Sequence, residues 1–350
     1  MAKERVVEPS AQPTDEESVV PAIRPRTMAE YVGQSALKER LGIALTAARK
    51  RGKAMEHVLL HGPPGLGKTT LAHVIANEMG SHASVTSGPA LTKGGDLVGT
   101  LTKMQDRDIL FIDEIHRLPA AVEEYIYPAM EDYRIDFTLD AGMHAKVVTI
   151  NLKPFTLIGA TTRPGMLTQA LRTRFGMTHH LGFYPEGDLL KILARACGIM
   201  EVGAVGAGAL AMIAARSRGT PRVALRLLRR VHDYAIVRGD GTVGESTVEA
   251  ALKLESVDAM GLDALDRSYL TVLGTTYEGG PTGVEALAAT LGEDAGTLED
   301  VVEPYLLQSG FVARTRQGRR ITRAGAEHVG VAFKTTAAVS EDGAGGLFRE

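Results

Sequence analysis

The chain has 350 residues, of which 44% are hydrophobic and 23% charged, with a net charge of −3 at neutral pH. That length provides for two or three cored domains, and the near-balanced charge excludes a protein that binds nucleic acid through bulk basicity, so any such affinity must be local. The single cysteine, Cys197, excludes an internal disulfide framework, no Cys/His cluster points to zinc, and no stretch is apolar enough to span a bilayer; a cytoplasmic protein without a membrane partner is expected.

Residues 1–21 are polar and proline-dotted and read as a disordered tail. The first strong pattern is Val58-Leu59-Leu60, then His61-Gly62-Pro63-Pro64-Gly65-Leu66-Gly67-Lys68-Thr69-Thr70, then a helical run to Met79. This is a Gly-x4-Gly-Lys-Thr phosphate loop in its strand–loop–helix context. Its glycines let backbone N–H groups curl toward phosphate oxygens, and the helix adds its positive end. Lys68 is expected to reach the β- and γ-phosphates of a nucleoside triphosphate, and Thr69 to place its hydroxyl on Mg²⁺.

A strand is expected at 83–86, and another at 109–112 that ends in Asp113-Glu114. Four apolar residues followed by two acids suit a buried parallel strand whose carboxyl end emerges at a nucleotide site. Asp113 would complete the metal shell, and Glu114 would polarise the attacking water. Ile135 to Thr138 and Val147 to Ile150 can pair as a hairpin. Residues 155–160 form another apolar strand, followed by Thr161-Thr162-Arg163. A hydroxyl there either senses the γ-phosphate or is one of a β-favouring threonine pair. Arg172 and Arg174 precede Phe175; they are solvated helix arginines or a source of charge for a transferred phosphate.

From about residue 185 the strands stop. Helices are expected at 188–200, 208–218 and 221–237, the last opening on Gly219-Thr220-Pro221-Arg222 with Arg222 placed to sense nucleotide from a lid. A third composition begins near Leu262. Short helices, including one over 297–309, lead to a hairpin turning near Gly318. Arg314, Arg316, Arg319, Arg320 and Arg323 would line that wing and follow a phosphate backbone without reading bases. The glycine-rich C-terminal residues read as a second tail.

Together these motifs resemble the AAA+ ATPases and, within them, the RuvB family of Holliday-junction branch-migration motors. The likeness rests on Arg24-Pro25, Tyr31 to Gln34, the phosphate loop, Thr86 to Pro89, Phe111 to Leu118, Tyr127 to Tyr133, Phe155 to Arg163, Arg174 to Gly176, Gly219 to Arg222, Arg229 to Val231 and Glu303 to Leu306. It spans about residues 22 to 330. The resemblance implies an α/β fold: an AAA+ P-loop parallel sheet with helices over 22–184, a small helical lid over 185–258 and a C-terminal winged-helix head over 259–334, with 335–350 as a tail. It implies ATP with Mg²⁺ as cofactors, a homo-hexameric ring on duplex DNA at Holliday junctions, RuvA as loader and RuvC as a partner in the resolvasome.

Position by position, the resemblance puts Ile23, Arg24 and Tyr184 against the nucleotide and Gly65, Gly67, Lys68, Thr69 and Thr70 around its phosphates. It also puts the backbone of Glu131, Asp132 and Tyr133 nearby. Thr162 becomes the first sensor, Arg174 a finger acting on the neighbouring subunit, Arg222 the second sensor, and Arg314 and Arg319 the DNA contacts. Two departures stand out. The hairpin tip reads Asp140-Ala141-Gly142-Met143-His144-Ala145-Lys146 where the family usually has Gly-Pro-x-Ala-Arg, on the element associated with RuvA. Ala295 stands where some relatives carry a DNA-contacting arginine. A clamp-loader-like switch shares the core motifs but not these signatures. A non-catalytic scaffold need not keep Lys68, Asp113, Glu114 and Arg174 together. A GTPase would need an Asn-Lys-x-Asp motif, which the sequence lacks.

Overall fold

A computed structural model describes residues 22–138 and 147–333. The expected tails at 1–21 and 335–350 and the hairpin tip at 140–146 lie outside the described residues. The chain divides into two compact units, the first ending at Gly261 and the second starting at Leu262.

In the first unit, helix α1 (Ser35–Arg51) precedes a five-stranded sheet. Its strands are β1 (Val58–His61), β2 (Ala83–Ser87), β3 (Ile109–Asp113), β6 (Thr156–Thr161) and β7 (Met177–His180), all parallel, in the order β2-β3-β6-β1-β7. The central strands are buried on both faces, which is why they read as continuous apolar runs. Alternate residues still go to different cores. Val58, Leu60, Ile109, Phe111, Ile158 and Ala160 join one cluster with α2 (Lys68–Met79) and the lid. Leu59, Leu110, Ile112 and Leu157 join the opposite cluster, under α3 (Gly94–Leu101) and α4 (Ala120–Asp132).

The strand order matters for function. β3, β6 and β1 are immediate neighbours, so the phosphate loop after β1, the acids after β3 and the threonines after β6 all leave the sheet at one edge. The expected hairpin forms from β4 (Arg134–Thr138) and β5 (Val147–Asn151), with Ile135 opposite Ile150. Strand β7 has no counterpart among the expected strands. Its Met-Thr-His-His sequence has one apolar residue, and as an edge strand it is only partly buried.

After the short α5 (Gln169–Thr173), four helices build the lid: α6 (Glu186–Ile199), α7 (Ala207–Ala215), α8 (Pro221–Arg238) and α9 (Glu245–Leu254). Leu189, Leu193, Ile213, Leu228, Val231 and Leu252 bury there in the same cluster as the β1 face of the sheet. Thr220 caps α8 by accepting from Val223 N–H at 3.4 Å, and Pro221 starts the helix where no N–H is needed. Cys197 is half-buried against this core, and burial pushes its thiol up.

The second unit is a winged helix. Helix α10 (Ala264–Thr275) is locked at its start by a reciprocal pair: Asp263 accepts from the Leu265 and Asp266 N–H groups, and Asp266 accepts from Asp263 N–H. Helix α11 (Val284–Leu291) follows, then a helical run from Ala295 to Gln308. The sequence suggests one regular helix there; instead the run widens into a π turn over Leu298–Val302. Pro304 offers no N–H to the carbonyl four residues back, and the wider turn accommodates it. The wing is β8 (Val312–Thr315) paired antiparallel with β9 (Gly318–Ile321), turning at Arg316-Gln317. Among the described residues no helix is long and apolar enough to cross a membrane.

Candidate nucleotide site and wing

The strand-end edge opens into a cavity of about 520 Å³ between the sheet, the lid and the segment before α1. Its lining includes Ile23, Arg24, Gly65, Gly67, Lys68, Thr69, Thr70, Asp113, Glu114, Thr162, Tyr184 and Arg222. Twelve positions expected from sequence thus converge from six chain segments on one concave surface. Gly65 and Gly67 sit at φ of +79° and +90°, where a side chain is strained, and this lets the loop close on itself.

Lys68 is buried and donates from Nζ to the carbonyls of Gly62 at 2.9 Å and Pro63 at 2.8 Å. Burial lowers its ammonium to about pKa 8; Asp113 opposes that shift and Arg222 adds to it. The cation is therefore held inside the loop by its own carbonyls, in surroundings that favour an arriving anion. Asp113 and Thr69 line the same cavity, one ending β3 and the other in the first turn of α2. A carboxylate and a hydroxyl beside the phosphate loop form the oxygen-donor set that Mg²⁺ takes when most of its shell is water and phosphate. Asp113 Oδ1 also accepts from Glu114 N–H at 2.9 Å. Glu114 adopts a left-handed backbone (φ +46°), and its carboxylate is held by Arg117 at 2.8 Å.

The structure separates the two threonines. Thr161 is buried, bonded to His116 Nδ1 at 2.9 Å and accepting from Arg163 N–H at 3.0 Å, while Thr162 faces the cavity. Tyr31 and Tyr184 meet at the cavity wall formed by the segment before α1 and the lid. Tyr184 donates to Tyr31 Oη at 3.1 Å and to Leu66 O at 3.3 Å, and its N–H donates to Gly219 O at 2.7 Å. Burial and the neighbouring Tyr184 raise Tyr31, so both phenols stay neutral. The lid touches the loop directly: Arg222 N–H donates to Gly65 O at 3.3 Å.

Sequence reading missed Glu30 and Arg195, which line the cavity and pair at 2.8 Å, and Leu225 and Arg229 beside them. Their signal was only their helical spacing and their place before the loop; contact across 165 positions is not visible in a string.

Four expected residues do not come to this cavity. Arg174 lies over the Tyr127 ring at 4.3 Å, pairs with Glu131 at 3.1 Å and donates to Ala170 O at 2.7 Å. Tyr127 and Thr168 in turn hold the buried Glu123. Asp132 pairs with Arg134, and Tyr133 packs its ring on His57 and Phe155. The physical reason is that α4 and α5 pack on the sheet face opposite α2 and the lid.

The wing differs from a uniform row of arginines. Strand alternation splits them. Arg314 and Arg319 are direct cross-strand partners on the face that carries the buried Val312 and Ile321, whereas Arg320 pairs with Ala313 on the other face. Arg319 donates to Glu303 at 2.8 Å and Glu299 at 2.7 Å; Arg314 reaches Glu299 at 2.8 Å and Glu303 at 3.3 Å. Burial alone would lower Arg319, but the bonds to Glu303 and Glu299 outweigh it and hold the guanidinium above its ordinary value. Tyr269 donates to Glu303 at 3.0 Å, and burial beside that carboxylate pushes the phenol up. Among the described residues no cluster of His, Cys, Asp or Glu has metal-site geometry.

Three family models match the chain in succession: the P-loop domain of the Holliday junction DNA helicase RuvB over residues 23–181, the RuvB AAA lid domain over 184–258 and the RuvB C-terminal winged-helix domain over 259–330. The chain is also similar to the solved structure of the Thermotoga maritima RuvB Holliday junction branch migration motor. Identity is 47%, with 89% of this chain and 99% of that one covered and a TM-score of 0.80. A lysine-to-arginine variant of the same Thermotoga protein gives 47% identity over 88% of this chain and 98% of that one, at a TM-score of 0.81.

Proposed function

The chain belongs to the RuvB family of AAA+ ATP hydrolases, and from that premise we propose that it is a Holliday-junction branch-migration motor, working as a homo-hexameric ring on duplex DNA. The observation that carries the reading is the cavity in which Lys68, Asp113, Glu114, Thr162 and the lid's Arg222 meet. The likeness to the Thermotoga motor along most of both chains supports assigning its energy to DNA movement.

In this reading Ile23, Arg24 and Tyr184 hold the base end of ATP, and Gly65, Gly67, Lys68 and Thr70 hold its phosphates. Thr69 and Asp113 hold Mg²⁺, which when bound neutralises charge on the phosphates. Glu114 orients and deprotonates the attacking water, once released from Arg117. Thr162 and Arg222 sense the γ-phosphate from the sheet and from the lid. Residues 22–184, 185–258 and 259–334 act as motor, lid and DNA-binding head. The position of Arg174, away from its own cavity, suits a finger that completes a neighbour's site; Glu131 pairs with it, and the backbone of Glu131, Asp132 and Tyr133 would approach that neighbour's nucleotide. RuvA is the loader and RuvC a later partner, in the cytoplasm. The hairpin tip expected to meet RuvA lies outside the described residues.

The test is ATP-driven branch migration of a synthetic four-way junction, with and without RuvA. Movement that requires ATP and rises with RuvA is expected. DNA-stimulated hydrolysis with no junction movement, even with RuvA bound, would replace the motor with a clamp-loader-like switch.

A further inference from the structure

The charge network under the wing has a geometry that ordinary surface ion pairs lack. One carboxylate oxygen, Glu299 Oε1, accepts from Arg314 at 2.8 Å and from Arg319 at 2.7 Å. These arginines face each other across β8 and β9. Two like charges directly opposite in a sheet repel, so the pair needs an anion between them. A single oxygen taking N–H bonds from two guanidinium groups is also how a nucleic-acid phosphate is gripped.

We propose that Glu299 occupies a backbone-phosphate site formed by Arg314 and Arg319, and that duplex DNA binds there by displacing it. The inference rests on the reading that the wing grips duplex.

The two acids of the network are not equivalent. Glu303 is 1% exposed and is held by Tyr269 as well as by both arginines. Stripping it of a cation would leave a buried charge unpaired, so it stays and anchors Arg319. The Glu299 side chain keeps 28% of its surface and stands on the π turn, at the open side of the pair. Arg314 is half exposed. An entering phosphate can therefore replace Glu299 while Glu303 holds the arginine fork in place. Each binding event then exchanges one anion for another instead of making a new ion pair. The grip is weaker than that of two unpaired arginines, which suits a protein that must release each phosphate as the duplex moves.

The experiment is duplex binding by the full-length chain, followed by fluorescence anisotropy on a mixed-sequence duplex across a salt series, for Glu299→Ala and the near-isosteric Glu299→Gln. Thermal unfolding checks that both variants fold. Both should bind about tenfold tighter near 0.1 M salt, with a log–log salt slope steeper by roughly 0.9, the value of one extra counterion released. Unchanged or weaker binding in both would overturn the displacement, because Glu299 would then be only a strut for the arginines. Arg314→Ala separates the two levels of failure. If it flattens the slope while the Glu299 variants change nothing, only the displacement is wrong. If Arg314→Ala leaves the slope unchanged, the wing is not on the DNA path and both readings fall.

Discussion

At the scale of single residues, the proposed chemistry at the cavity turns on Lys68 and Glu114. Burial brings Lys68 to about pKa 8, so its charge is lost as pH rises through that value, well before an exposed lysine's. Below about pH 8 the fold carries a buried ammonium at a cost, and stability rises as that cost is relieved between about pH 8 and the ordinary lysine value of 10.5. For binding, the ATP phosphates should restore the proton. Calorimetry in buffers of different ionisation enthalpy should show proton uptake on ATP binding at pH 8.5 and almost none at pH 6.5. Lys68→Arg, which stays charged at both, should show none at either, and equal uptake in the variant would show that another group takes the proton. Glu114→Gln should keep ATP affinity while turnover drops about 10²–10⁴-fold. Retained turnover would move the general base elsewhere.

At the scale of elements, loop and lid meet at a point where glycine is required. Gly65 lies at φ +79°, and a Cβ there would come within 3.0 Å of Arg222 Cβ. Gly65→Ala should cost about 1–3 kcal/mol in backbone strain and push the start of α8 off the loop. We expect ATP affinity to fall at least tenfold, measured by titration with a fluorescent analogue; unchanged affinity would mean that the loop–lid contact is dispensable. The elements around this point were legible in unequal measure. β1, β3 and β6 announce themselves because burial on both faces demands unbroken apolar runs. Edge strand β7 and helix α9 do not, since one is mostly polar and the other is a short helix of 10 residues behind the glycine-rich run 239–244. The helix of the winged-helix unit was legible in extent, but its π turn depends on how Pro304 is accommodated within the packed run.

At the scale of the whole molecule, Arg174 is an expected site residue that does not line its own chain's cavity. It rests on Glu131 and Tyr127, outside the cavity formed by Lys68 and Asp113. If it completes a neighbour's site, mixed rings of Lys68→Ala and Arg174→Ala subunits should recover part of the ATPase activity that each variant lacks alone. No recovery in verified mixed rings would confine Arg174 to holding α4 and α5 together.

The local sequence determined the phosphate loop, the acids closing β3, the helical character of the lid and the hairpin of the wing. Each depends on contacts or backbone preferences within a dozen or so residues of chain. Partnerships across long separations were left to tertiary structure. Strand order placed β6 between β3 and β1, so that Thr162 faces the cavity and Thr161 turns to His116. Packing brought Arg195 to Glu30 and set two acids of a helix beneath two arginines of the wing. Five arginines between positions 314 and 323 read as positive charge along the wing. Strand alternation and the helix below assign two of them to carboxylates, because charges facing a core edge must be paired.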